Sequence, residues 1–368
     1  MNYSLWKTNW AETQQHFIDW WNRKGLVLGA WGAPAWYTSR LSPNKKPIPT
    51  PPSSIEERYS NIEWRAQETL HHLACAAFEL DELPTAGSDI GPGSLALALG
   101  CTPHFSPETV WFEPCIKKDA DLNSLPPITF NPNAPWWQIH EAQLKRHVEL
   151  AQRNYMASCP DLVENIDILS AMRDPQTLML DMIENPDWVL RSVSEINQAY
   201  FEGYSRIYDI IKNPDGSSCF GAFAVWGPGK TAKVQCDACS MFSPEMFRDF
   251  VKPALSEQCD WLDHSLYHLD GTQCICHLDH LLSIPSLDAI EWTPQAGIEG
   301  GAHERWFPMY KRILDAGKSV QIMDVTADTM EPILKAIGTQ GVYLMFYFRT
   351  PDELKRVIHI AEKWRKGN

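Results

Sequence analysis

The sequence predicts an α/β fold, a single TIM-type (β/α)8 barrel with an N-terminal helical extension and loop insertions. Three observations lead there. From residue 265 onward, short apolar runs alternate strictly with helix-length amphipathic segments, the pattern of a parallel sheet with helical crossovers. The chain has 368 residues, room for about eight such units plus insertions. Several apolar runs end abruptly in polar residues, as strands do at the ligand-binding face of a barrel.

Taken in order, Trp6, Trp10, Phe17, Trp20 and Trp21 recur at near-helical spacing and predict a helix over 5–24, which makes 1–24 the N-terminal extension. Gly25–Trp31 reads as the first strand, and the proline-rich stretch 41–54 as a surface loop. A helix is expected over 55–80, and a strand with a glycine turn over 84–91. Residues 101–135 look like an irregular insertion. A helix over 136–155 leads to a strand end at Ser158–Asp161, and two helices fill 174–212. Ser218–Trp226 reads as one strand ending at Gly227-Pro-Gly229, and Val234–Asp237 as the end of another.

Ser243 and Pro244 form a good N-cap and first turn for a helix reaching about residue 264. The final third then gives strands 265–270, 287–293, 319–324 and 342–347, alternating with helices 277–284, 306–315, 327–337 and 351–366. Gly317 stands just past a helix, as a C-cap should. The whole chain, 1–368, reads as one domain. An open doubly wound sheet is the alternative, but no GxGxxG follows a strand, and Gly227-Pro-Gly-Lys-Thr231 does not meet the phosphate-loop pattern.

Composition narrows the partners. A net charge of -14 disfavours nucleic acid. No apolar run is long enough for a membrane span, and the N-terminus has no signal-peptide pattern, so a cytoplasmic protein without a membrane partner is expected. The ten cysteines are scattered and read as free thiols, with Cys236-x-x-Cys239 a lone pair outside any thioredoxin-like context. Exposed tryptophans, drawn from sixteen in all, would suit a homodimer.

The predicted strand ends supply the candidate site: Trp31, Asp89, Asp161, Trp226, Asp237, His268, Asp270, Glu291, Trp292, Asp324 and Tyr347, with Arg349 just beyond the last strand. His268 and Asp270 are two apart on a strand and leave it on the same face. They could be half of a metal site completed by Asp237 or a cysteine, a general acid/base with its orienting carboxylate, or a hydrogen-bonded structural pair. The aromatic residues would wall the pocket, and Arg349 could clamp an anion or form a surface ion pair. Cys274-Ile-Cys276-His277 reads as packing at a loop-to-helix junction.

Phe242-Ser-Pro-Glu-Met-Phe-Arg-Asp-Phe-Val-Lys-Pro253, the His268-Leu-Asp-Gly271 strand end and Ala316-Gly-Lys318 resemble the uroporphyrinogen decarboxylase superfamily, most firmly over 234–366. The resemblance implies a (β/α)8 barrel and lies closer to the methyltransferase-like, corrinoid-linked branch. In place of the arginine-rich segment that grips tetrapyrrole carboxylates, this chain has Val27-Leu-Gly-Ala-Trp-Gly-Ala-Pro-Ala-Trp36. Where the methyltransferase branch uses His-x-Cys, it has Asp270, and the late position near Met345–Phe348 has no thiol.

A methyltransferase-type enzyme acting on a small organic substrate is therefore expected. Zinc or another divalent metal at His268 and Asp270, and a corrinoid protein or a folate as methyl partner, are what the resemblance implies. The alternatives are a decarboxylase of a small carboxylic acid, gripping it through Arg349, Arg173 or Lys230, and a non-catalytic ligand-binding barrel.

Overall fold

A computed structural model describes residues 6–30, 47–107 and 109–366. Twelve strands are found among them: β1 Leu26–Ala30, β2 Thr85–Gly87, β3 Thr102–Phe105, β4 Val110–Glu113, β5 Met156–Ser158, β6 Ser218–Phe220, β7 Val225–Gly227, β8 Thr231–Gln235, β9 His264–Asp270, β10 Ala289–Thr293, β11 Ser319–Val325 and β12 Val342–Phe346. Six of them form one parallel sheet in the order β1-β12-β11-β10-β9-β8. β2 and β5 form a separate parallel pair, while β3–β4 and β6–β7 are antiparallel hairpins.

The chain is thus an α/β protein built on a parallel sheet. The strand ladders do not close into a ring among the described residues. Single backbone bonds continue the sequence of strands: the Cys159 N–H donates to the Cys219 carbonyl at 3.0 Å, and Asp81 N–H to the Leu28 carbonyl at 2.8 Å.

The final third matches the predicted alternation closely, because each strand there is a near-continuous apolar run buried on both faces. Elsewhere the boundaries differ. The N-terminal helix is shorter, Trp10–Trp21, and the stretch 55–80 breaks at Asn61 into Ile55–Ser60 and Ile62–Cys75. Asn61 accepts a hydrogen bond from Trp64 N–H and so caps the second of these helices. The helix expected over 243–264 contains a π-turn at Phe247–Val251 just before Pro253, where the proline removes a backbone donor.

The stretch 218–226 is a clear correction. It is a hairpin, β6 and β7 joined by a 3-10 turn at Gly221–Phe223, with Ala224 left-handed at φ 49°. Strands reach into this turn with polar side chains. Gln321 Nε2 donates to the Phe223 carbonyl at 2.8 Å and Tyr343 OH to the Ala224 carbonyl at 2.7 Å.

The N-terminal helix packs across the opposite end of the sheet. Phe17 and Trp20 are fully buried, and Trp20 Nε1 donates to the Val320 carbonyl at 3.3 Å. Asp81, also fully buried, accepts from Leu28 N–H at 2.8 Å, bonds His16 Nδ1 at 2.7 Å and pairs with Arg365. It joins the first helix, the first strand and the last helix at one carboxylate.

Candidate active site

The site begins with the registration of the parallel strands. Gln235, His268, Glu291, Gln321 and Tyr343 are aligned partners from β8 across to β12. Aligned residues of a parallel sheet point to the same face, so a row of polar groups crosses an otherwise apolar sheet. Buried polar groups persist only where they are hydrogen-bonded, and this row is largely bonded within itself or to the Gly221–Phe223 turn. Glu291 is fully buried, pairs with His268 Nδ1 and accepts from Thr293 Oγ1 at 2.7 Å. Phe223 stands edge-on to the His268 ring, at 4.9 Å between centroids.

Two residues further along β9 comes Asp270, and two beyond Gln235 comes Asp237. One ligand atom from each of Asp237, His268 and Asp270 lies within 4.8 Å of the other two. Since Glu291 engages Nδ1, the ring nitrogen left to face the carboxylates is Nε2. This is the arrangement in which a buried carboxylate fixes the tautomer and direction of a metal-ligating imidazole. Burial works against the charged imidazole, but the Glu291 charge and hydrogen bond override it and raise the His268 pKa. Asp237 is pushed up to about 6 by desolvation and by the like charge of Asp167.

A shell of polar residues holds this trio. The Asp167 carboxylate accepts Asp237 N–H at 2.7 Å, Ala238 N–H at 2.9 Å and Gln235 Nε2 at 3.1 Å. Gln235 Nε2 also reaches Asp237 at 2.8 Å. Lys233, two residues before Gln235 on β8, is buried against Gln235 and pairs with Asp161 at 2.7 Å. Glu164 is fully buried and accepts Gln235 N–H at 2.6 Å, while its Oε2 has no partner. Burial pushes its pKa up to about 8, so it holds a proton at neutral pH.

The Asp237 end opens into a cleft of about 430 Å³. Its far wall is the β3–β4 hairpin, which presents Trp111 and Phe112, and Met241 stands on the near side. Gly93, at φ +83°, takes a left-handed conformation that suits glycine, beside the Phe112 ring. The insertion over 101–135 therefore contributes a wall of the site.

The structure brings Asp237, His268, Asp270, Glu291 and, through Lys233, Asp161 together. It separates the others. Trp292 is the neighbour of Glu291 on β10 and therefore faces the other way, packed on Trp306 at 4.9 Å. Trp226 lies under the N-terminal helix, edge-on to Trp10 at 5.6 Å, and its carbonyl accepts from Trp21 Nε1. Trp21 in turn stacks on His264, the first residue of β9, so Trp226 is at the end of the sheet opposite the site.

Asp89 is exposed and closes a turn by accepting Gly91 N–H at 2.9 Å. Asp324, the penultimate residue of β11, is exposed and left-handed, φ 59°. Tyr347 is 63% exposed past β12, and Arg349 N–H donates to Glu353. Trp31 lies outside the described residues.

Two of the proposed carboxylate grips are engaged elsewhere. Arg173 pairs with Asp181 at 2.8 Å and holds the Lys117 and Lys118 carbonyls, and the Lys230 ammonium sits 3.7 Å over the Trp261 ring. Cys239 and Cys274 are buried free thiols with sulfurs 3.4 Å apart, and His277 stacks on Phe247. Cys274 and His277 pack beneath the site as expected, whereas Cys276 is exposed and not packed.

Lys233, Gln235, Glu164, Asp167 and Gln321 are absent from the sequence-derived candidates. A signal for two of them exists: Lys233, Gln235 and Asp237 alternate with apolar residues, the period-two pattern of one strand face.

No family model matches the chain, and no curated protein matches it by sequence. Among solved structures it is similar to a methyltransferase from Methanosarcina mazei, with a TM-score of 0.63 and 11% sequence identity, covering 96% of this chain and 99% of that one. The likeness is one of fold and extends over nearly the full length of both chains. Among the described residues, no helix is long and apolar enough to cross a membrane.

Proposed function

We propose that this chain is a methyltransferase-type enzyme of the uroporphyrinogen decarboxylase-like group, acting on a small organic substrate with the help of a divalent cation at Asp237, His268 and Asp270. The observation that carries the proposal is the buried Glu291 behind His268, which leaves one imidazole nitrogen directed at two carboxylates. The fold likeness to a methyltransferase supports the reaction class. One nitrogen and two carboxylates form a harder donor set than a thiolate site, suited to zinc, manganese or magnesium.

Such a cation would polarise a heteroatom of the substrate. The chain's own contribution is to aim His268 through Glu291 and to anchor the Asp237 backbone through Asp167, while the cleft beside Asp237 positions the substrate. A corrinoid protein or a folate would exchange the methyl group. The decarboxylase alternative loses support, because Arg173 and Lys230 are committed away from the cleft.

Metal analysis of protein purified without chelator, on wild type and His268→Ala, tests the centre. About one divalent ion per wild-type chain and none in the folded variant is expected. Methyl transfer is followed with methylcobalamin and 5-methyltetrahydrofolate as donors. An equal metal content in both proteins would remove the centre, and absence of turnover with every donor would leave a ligand-binding barrel.

A further inference from the structure

The cleft beside Asp237 has a chemical character of its own. Three of its lining residues are carboxylates, Asp167, Asp174 and Asp237, and no lysine, arginine or histidine lines it. The nearby Lys118 ammonium is engaged by Asp174 at 3.3 Å and is itself well exposed. Facing the carboxylates are Trp111, 52% exposed, and Met241, 51% exposed, two of the few large apolar side chains left open to solvent. Trp111 is steadied from behind by His104, stacked at 5.6 Å. Phe112 completes the apolar wall.

Solvent-exposed aromatic and thioether surface gathered round one cavity marks a binding site, and the sign of the charges around it selects the ligand. Lys233 and His268 lie behind Asp237, but no cationic side chain lines the cleft itself, so an anion there meets the Asp167 and Asp174 carboxylates first. A neutral apolar molecule gains nothing from them. A compact organic cation with an apolar shell satisfies both walls, through the indole face on one side and the carboxylates on the other. The overall charge of -14 adds long-range attraction of the same sign.

We propose that the cleft between the β3–β4 hairpin and Asp237 binds a small alkylated ammonium cation, seated against Trp111 with its charge toward Asp167 and Asp174, while Asp237 belongs to the metal centre. The proposal rests on the methyl-transfer function above and gives its substrate a cationic group apart from the heteroatom that the metal would polarise, but cation binding is measured independently of metal and turnover.

The test titrates choline, its neutral isostere 3,3-dimethylbutan-1-ol and the anionic 3,3-dimethylbutanoate into the full chain by calorimetry, with and without EDTA. Wild type, Trp111→Ala and Trp111→Phe are compared. Trp111 is half exposed, so both variants are expected to fold, and their melting curves check this. Choline should bind about tenfold or more tighter than the alcohol, and the carboxylate should not bind. Trp111→Ala should lose about tenfold in choline affinity, and Trp111→Phe should recover most of it. Equal affinities for choline and the alcohol, preference for the carboxylate, no choline binding at 100 mM in this assay (about the weakest site worth calling one), or unchanged binding in Trp111→Ala would each overturn the proposal. Choline binding by protein that was purified without chelator and carries no metal would leave this inference standing while removing the metal centre.

Discussion

His268 shows how one side chain acquires a chemical direction from its neighbours. Glu291 has no access to solvent, and Thr293 engages the carboxylate oxygen that His268 does not. Glu291→Gln keeps the shape but replaces the charge with a neutral amide. The proposed metal affinity should fall about 10- to 100-fold, with the fold retained, when measured by competition with a chromophoric chelator. An unchanged affinity would mean that Glu291 only fills space.

Glu164 gives a prediction in pH. Its folded pKa, about 8, lies above the ordinary carboxylate value of 4.5, so the folded chain keeps a proton that the unfolded chain releases. The stability this contributes is complete below pH 4.5 and is lost as pH rises through about 8. Glu164→Gln should therefore flatten the decline of Tm across that window and gain most over wild type at its alkaline end. Parallel Tm curves for the two proteins would contradict a protonated Glu164.

Elements explain what the sequence conveyed and what it hid. His268, Asp270 and Asp237 were legible because each ends an apolar run, where the change from apolar to polar residues is abrupt. Trp292 was misplaced because adjacency in sequence means opposite faces on a strand, and Glu291 had already taken the site face. Trp226 was misplaced because a left-handed Ala224 turns one expected strand into a hairpin, a conformation for which alanine gives no warning. Asp161, Glu164 and Asp167 sit on a loop and a helix start, and their link to β8 depends on tertiary contacts that no local pattern encodes.

The N-terminal helix, by contrast, announced itself through its aromatic spacing. Its Phe17 stands edge-on to Trp20, Trp226 and Tyr343. Phe17→Ala should cost about 3–5 kcal/mol by urea denaturation, as for other fully buried aromatics. A loss below about 1 kcal/mol would show that this helix is dispensable packing.

At the scale of the whole molecule, the parallel α/β architecture was legible from strand–helix alternation, while the closed ring was an extrapolation from the final third. The structure shows six strands joined as a sheet and the middle of the chain carrying short, separately paired strands. Asp81 is the point where distant parts of the chain meet. Thr13, His16, Leu28 and Arg365 all contact its carboxylate. Asp81→Ala strands those partners and should destabilise the protein by about 3 kcal/mol, at the lower end for a broken buried pair because Arg365 retains some solvent. Thermal unfolding of the variant checks this, and an unaltered Tm would mean that water replaces the carboxylate at no cost.

The pairing of β1 with β12 has a consequence in time. Leu26 aligns with Val342, so β1 meets its ladder partner across a long stretch of sequence. Contacts so distant in sequence form slowly, because the intervening chain must be closed into a loop before they are rewarded. Docking of β1 on β12 is therefore expected late in folding. Until then β1 is an apolar strand without its ladder partner, and an unpaired strand of this kind is open to wrong pairing.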